Sequence, residues 1–259
     1  MLQFDAETTR LLNIAYEGGE LTRRRQASFD ALKPGPGDTI LDVGCGNGLL
    51  TVELARAVGA NGKVIGIDPS RDMLTAARER CASNYCVEFV EGVADSIPLA
   101  DGTADKAVSV QTFEYIDDVS GAVDDVLRCL KPGGRLVISD LHFGTFVWAS
   151  DDRERMSKMI TSWDHHFVSG TLPERLPSLL KAKGHEIEAV VPFNMTDHEL
   201  KPDGLAIMMM HLMKNYAVAN DHVDETVAQA WFEEQEDLAK NGRFFFSLTQ
   251  FVVVARKKD

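Results

Sequence analysis

The sequence predicts an α/β protein built on a mainly parallel sheet. Three observations carry this expectation. Short apolar runs alternate with helical periodicity from Thr39 to Asp140, a glycine-rich loop closes the first run, and an acidic residue ends the second. Strands are expected near 39–43, 63–67, 87–90, 105–110 and 134–139, with helices near 49–58, 70–82 and 118–130. Such alternation buries a parallel sheet between helical layers and puts ligands beyond the carboxyl ends of the strands.

Ala6 to Leu32 reads as one or two helices, broken near Gly18-Gly19, with Lys33-Pro34-Gly35-Pro36-Gly37-Asp38 as a turn-rich connector. The first strand runs into Asp42-Val43-Gly44-Cys45-Gly46-Asn47-Gly48, and Leu49 to Val58 reads as the following helix. Alternate glycines let the backbone turn tightly and stay open to a ligand. The second strand ends on Asp68, about 20 residues further on, where a carboxylate can accept from both hydroxyls of a ribose. A pyrophosphate is not expected, because the dinucleotide fingerprint needs a later glycine than Gly48, where this chain has Leu49 and Leu50.

The string D-V-G-C-G-x-G, answered by that acid, resembles motifs I and II of the class I S-adenosylmethionine (SAM) dependent methyltransferases. Val87 to Pro98 is similar to the family's third strand and adenine loop, Asp101 to Asp118 to its fourth-strand block, and Leu130-Lys131-Pro132-Gly133-Gly134-Arg135-Leu136 to its L-K-P-G-G-x-L turn. The resemblance is specific from about Thr39 to Asp140, and a looser likeness to small-molecule methyltransferases lies outside it. It implies a Rossmann-like sheet whose last strand lies antiparallel beside the sixth, with S-adenosyl-L-methionine as cofactor. On that basis Gly44, Gly46 and Gly48 admit the methionine moiety, Asp42 helps fix its amino group through the loop, and Asp68 holds the ribose. Pro69 follows directly, and Met73 falls where relatives pack an apolar residue on the adenine, with ordinary core as the alternative. Ala94 and Asp95 edge the adenine, and Gln111 lies close to the sulfonium. Tyr16 and Arg24 are candidates for the methionine carboxylate, with surface packing as the other reading. Two departures limit the transfer. Val93 stands where the family commonly has an aspartate for the adenine amino group, and Tyr115, after Glu114, where many relatives have a histidine.

Methyl transfer from a sulfonium is an in-line displacement, so alignment supplies much of the rate. A hydroxyl or amine acceptor would also need a base. His142 is the candidate base and Asp140 the group that orients it or the acceptor, with a structural hydrogen bond as the alternative for His142. Trp148, Trp163, His165 and His166 could shape a pocket, but adjacent helical histidines face different ways and no metal site is expected.

Arg153 to His166 and Pro173 to Lys183 read as helices, 186–193 as the sixth strand and 244–256 as the last. Between those strands lies an insertion, 194–243, of helical pattern. It is expected to be a cap over the acceptor, its Met208 to Met213 run forming an adaptable wall, the inner face of a packed helix or part of a homodimer interface. The 259 residues suit a single domain over 1–259, with an N-terminal helical segment 1–38 and this cap.

A hydrophobic fraction of 44% with 26% charged residues is that of a soluble globular chain. The net charge of −13 disfavours nucleic acid as a partner despite Arg23-Arg24-Arg25. Four cysteines without C-x-x-C spacing suggest a reduced, cytoplasmic chain, and neither a signal peptide nor a membrane span is legible. The expected activity is SAM-dependent methylation of a small, partly apolar molecule. RNA or protein methylation, nicotinamide-dependent oxidation and non-catalytic SAM binding are the alternatives.

Overall fold

The computed structural model describes residues 14–258. These residues form two compact units. The larger comprises 25–141, 171–193 and 251–258, and the smaller 14–24, 142–170 and 194–250.

Seven strands make one mixed sheet in the order β3-β2-β1-β4-β5-β7-β6. They are β1 (Thr39–Val43), β2 (Lys63–Asp68), β3 (Val87–Glu91), β4 (Ala104–Val110), β5 (Leu130–Trp148), β6 (Glu186–Asp197) and β7 (Phe246–Arg256). β1 pairs in parallel with β2 on one side and β4 on the other, β2 with β3, and β4 with β5. β7 runs antiparallel to β5. Gly133 N–H donates to Lys257 O at 3.1 Å and Ala149 N–H to Phe245 O at 2.9 Å, so partner numbers fall along one strand as they rise along the other. Ile40 to Val43 are all buried, the continuous apolar run that a central parallel strand requires, apart from Asp42. The strand order reverses between β1 and β4, and in open α/β sheets the ligand crevice lies at the carboxyl ends of such a pair.

The helices are α1 (Gly19–Leu32), α2 (Leu49–Val58), α3 (Arg71–Arg80), α4 (Val119–Cys129), α5 (Arg153–Asp164), α6 (Leu176–Ala182), α7 (Leu205–Ala219) and α8 (Glu225–Lys240). Leu50, Leu54 and Val58 put one face of α2 into the core beside Ile40, Val64 and Val108. A second core gathers Leu41, Ile65 and Ile138 with Val123, Val126 and Leu127 of α4. Ser70 caps α3 by accepting from Met73 N–H at 3.3 Å, and Asp118 caps α4 by accepting from Gly121 N–H at 2.9 Å.

The strand and helix positions agree with expectation to within a few residues except at β5. The sequence predicts a strand ending at Ser139, whereas β5 continues to Trp148. Gly144 suggests a loop, but Leu141, Phe143, Phe146 and Trp148 supply β-prone apolar residues, and the 11-residue β7 offers a partner. Asp140 and His142 therefore lie within a strand, not in the loop expected after it. At the N-terminus, residues 14–17 are helical and the chain bends at Gly18 before α1; the rest of the expected first helix falls outside the described residues.

In the smaller unit α5, α7 and α8 pack on one another. Met208, Met209, Met210 and Met213 are buried, so their stripe is the inner face of a packed helix. The start of α7 lacks a cap of its own, since Gly204 has no side chain to offer. Buried Glu20 replaces it, accepting from Leu205 N–H at 3.1 Å and from Lys201 Nζ at 2.9 Å. Glu20→Ala leaves that amide and ammonium without their acceptor and is expected to lower unfolding stability by about 1–3 kcal/mol, read by thermal or urea denaturation. Among the described residues no helix is long and apolar enough to cross a membrane.

Candidate functional site

All the candidate cofactor-binding residues except Tyr16 and Arg24 lie in the larger unit, at or just beyond the carboxyl ends of β1, β2, β3 and β4. Gly44 and Cys45 N–H both donate to Ile67 O, at 2.8 and 2.9 Å, which pins the glycine loop to the end of β2. Gly44 adopts φ +72°, and an added Cβ there would overlap the Thr112 side chain. Gly46, at φ +53°, faces open space, so its backbone is accessible to a ligand.

Asp68, only 8% exposed, ends β2 and joins two elements. Its Oδ2 accepts from Gly46 N–H and its Oδ1 from Ser70 N–H, each at 2.9 Å. The carboxylate thus ties the glycine loop to the first turn of α3. Gly92 N–H donates to Asp68 O at 3.3 Å, bringing the turn after β3 to the same place. That turn buries Ala94 and exposes Val93 and Asp95. Met73 is 44% exposed and Pro69 is also exposed, so Met73 is not ordinary core.

Asp42 is buried in β1, where Thr51 Oγ1 donates to its Oδ2 at 2.6 Å. Burial pushes its pKa from 3.8 up to about 7; the Thr51 hydrogen bond opposes this and the charge of Asp68 adds to it. The sign for stability follows from proton uptake. Between those two pH values the folded chain binds a proton that the unfolded chain has released, so ligand-free stability falls as pH rises from about 4 through 7. Asp42→Asn removes the ionisation and is expected to raise stability at pH 8 by about 1–3 kcal/mol relative to wild type, with no gain at pH 4. Melting curves at both pH values check this. Cys45 is buried in the loop, and burial followed by the charges of Asp42 and Asp68 raises its thiol pKa. It is a small filler and not a nucleophile.

At the end of β4, Gln111 has φ +53°, a left-handed conformation that costs a non-glycine residue energy. Two hydrogen bonds hold it there: Gln111 N–H donates to Ser139 O at 2.9 Å, and Thr112 N–H to Oδ1 of buried Asp140 at 3.0 Å. Ser109 Oγ donates to Val43 O at 2.9 Å, tying β4 to the glycine loop. Asp140 therefore has a positioning task that its place in the sequence did not disclose. Gln111→Gly is expected to stabilise the fold by about 1 kcal/mol through relief of this strain, a gain read as a raised melting temperature.

Sequence reasoning missed Thr51, Ser109 and Thr112. Each lies within a few residues of a recognised segment, but only the fold shows which backbone or carboxylate its hydroxyl meets. Tyr16, Arg24 and His142 belong to the smaller unit, where Tyr16 is half-buried, Arg24 is buried and Thr145 Oγ1 donates to His142 O at 2.8 Å. Two histidines of that unit, His222 and His166, take structural partners. Ser162 Oγ lies 3.0 Å from His222 Nδ1, and the His166 ring lies 4.6 Å from that of Trp163, with burial taking the His166 pKa down to about 4. Among the described residues no three His, Cys, Asp or Glu side chains cluster closely enough to hold a metal.

The family profile described as "Methyltransferase domain" matches residues 41–138. The chain is 31% identical over 236 residues to an uncharacterized 37.1 kDa protein in transposon TN4556 of Streptomyces fradiae, an overlap covering 90% of this chain and 66% of that protein. It is 36% identical over 110 residues to the 2-phytyl-1,4-naphtoquinone methyltransferase of a Nostoc species, covering 41% of this chain and 48% of that enzyme. The chain thus spans less than two thirds of either relative. The crystal structure of the YcgJ protein from Bacillus subtilis matches with a TM-score of 0.66 at 18% identity, over 92% of this chain and 99% of that one, which shows a shared fold.

Proposed function

We propose that the chain is a class I SAM-dependent methyltransferase and that it transfers a methyl group from SAM to a small, partly apolar molecule. The observation that carries the proposal is the Asp68 carboxylate, held by Gly46 and Ser70 N–H behind a loop whose Gly46 faces open space. SAM when bound supplies a methyl group already activated on a cationic sulfur. The protein's share is binding and alignment.

Asp68 keeps lone pairs beyond those used by the two amides and accepts from the ribose hydroxyls. Gly44, Gly46 and Gly48 leave room for the methionine chain. Asp42, buried beneath them, stabilises the cationic amino group through the loop. Pro69, Met73, Ala94 and Asp95 border the adenine, and Gln111 sits at the sulfonium end, held there by Asp140 through Thr112. Where the acceptor is a hydroxyl or an amine, His142 takes its proton.

A small acceptor is supported by the Nostoc enzyme's quinone-derived name and by the chain's net charge of −13, which opposes binding to phosphate backbones. We take 1–259 as one functional domain, cytoplasmic, in which the insertion 194–243 selects the acceptor. The test is transfer of labelled methyl from SAM to panels of hydroxyl, amine and carbon acceptors of low molecular weight. Labelling of a member of these panels is expected. Labelling confined to RNA or protein would overturn the reading.

A further inference from the structure

The smaller unit contains polar groups that methyl transfer does not use. All three tryptophans of the chain, Trp148, Trp163 and Trp231, fall in it. Trp148 is the hub of an aromatic cluster, its ring centroid 5.4 Å from those of Phe146 and Trp231 and 4.9 Å from that of Phe246, all edge-on. Two glutamines flank this cluster on the elements that build it. On α8 the buried face reads Ala228, Trp231, Gln235, Leu238, which puts Gln235 one turn beyond Trp231. On β7 Gln250 lies four residues from Phe246 and shares its face.

Gln235 and Gln250 are both fully buried, and neither the nitrogen nor the oxygen of either carboxamide has a hydrogen-bond partner. The indole N–H groups of Trp148 and Trp231 are buried and unpartnered as well. A buried polar group left in that condition costs about 1–3 kcal/mol, and native interiors rarely tolerate several together. Leucine or methionine would fill either glutamine position without that cost. The charged neighbour Glu234 is already engaged, accepting from Arg155 at 2.8 Å and from Ser150 Oγ at 2.8 Å.

What the cluster offers is flat aromatic surface, two indole donors and two carboxamides that can both donate and accept. We propose that the interior of the smaller unit is a binding site for a flat, uncharged molecule with hydroxyl or carbonyl groups on its rim, gripped by Gln235 and Gln250 among the rings around Trp148. The site lies wholly within one unit, and the inference does not rest on methyl transfer. Neutral carboxamides and indoles complete the hydrogen bonds of a hydroxyl but cannot offset a desolvated anion, so a charged analogue is rejected.

The test is titration of the full-length protein with 2-naphthol, naphthalene and 2-naphthalenesulfonate, followed by calorimetry and tryptophan emission. 2-Naphthol is expected to bind saturably, at least about tenfold tighter than the other two, since a site built for a hydroxyl discriminates against analogues that lack it. Gln235→Leu and Gln250→Leu are each expected to lose about tenfold or more of that affinity while melting above wild type, because each removes an unsatisfied amide. Trp163→Phe, outside the Trp148 cluster, is expected to keep the emission response. Absence of saturable 2-naphthol binding by wild type, or leucine variants that bind as wild type does or melt below it, would overturn the proposal.

Discussion

Replacing Asp68 with alanine is expected to weaken SAM binding by about 1.5–3 kcal/mol, roughly ten- to hundredfold in Kd, with the sheet still folded. Two losses combine. The ribose loses a charged acceptor, and Gly46 and Ser70 N–H lose the carboxylate that holds the glycine loop against the start of α3. Asp68→Asn separates them: its single carbonyl oxygen can serve one amide but not both amides and a ribose, so its affinity is expected to fall between wild type and alanine. An unchanged Kd in Asp68→Ala, measured by calorimetry, would mean that the ribose is held elsewhere.

The second large effect is expected at Gly44. An added methyl overlaps the Oγ1, Cγ2 and Cβ atoms of Thr112, in a backbone conformation of φ +72° that a side chain already disfavours. Left-handed strain and overpacking together are expected to cost roughly 2–5 kcal/mol. Gly46→Ala carries the strain without the overlap, since nothing lies within 4 Å of its added Cβ, and is expected to cost only about 1–2 kcal/mol. Denaturation midpoints of the two variants check the difference. Thr112→Gly in the Gly44→Ala background is expected to recover part of the loss, and no recovery would place the conflict elsewhere.

These two sites also show what can be read from the chain alone. Asp68 is legible because a strand pattern ends on it at a fixed distance from the glycines, and α2 is legible because Leu50, Leu54 and Val58 repeat at helical spacing after a tight turn. The reach of β5 is not, because its second half gains its hydrogen-bonding partner from β7, a strand about 100 residues away in sequence. Gly44 is visible as a glycine, but the reason for it is Thr112, and Thr112 is fixed by Asp140 from another strand. The methionine run of α7 has helical spacing whether it faces a ligand or a core, and only the packing of α5 and α8 against it decides for the core. Gln235 and Gln250 look like ordinary surface residues until burial shows them inside.

The most direct measurement is calorimetric titration of the purified protein with SAM, S-adenosylhomocysteine and NADH under the same conditions. Saturable binding of SAM and S-adenosylhomocysteine, weakened by Asp68→Ala, with NADH giving no comparable heat, is the expected result. Tight NADH binding with no detectable SAM binding would contradict the assignment of the glycine loop and Asp68 to an adenosyl-methionine site.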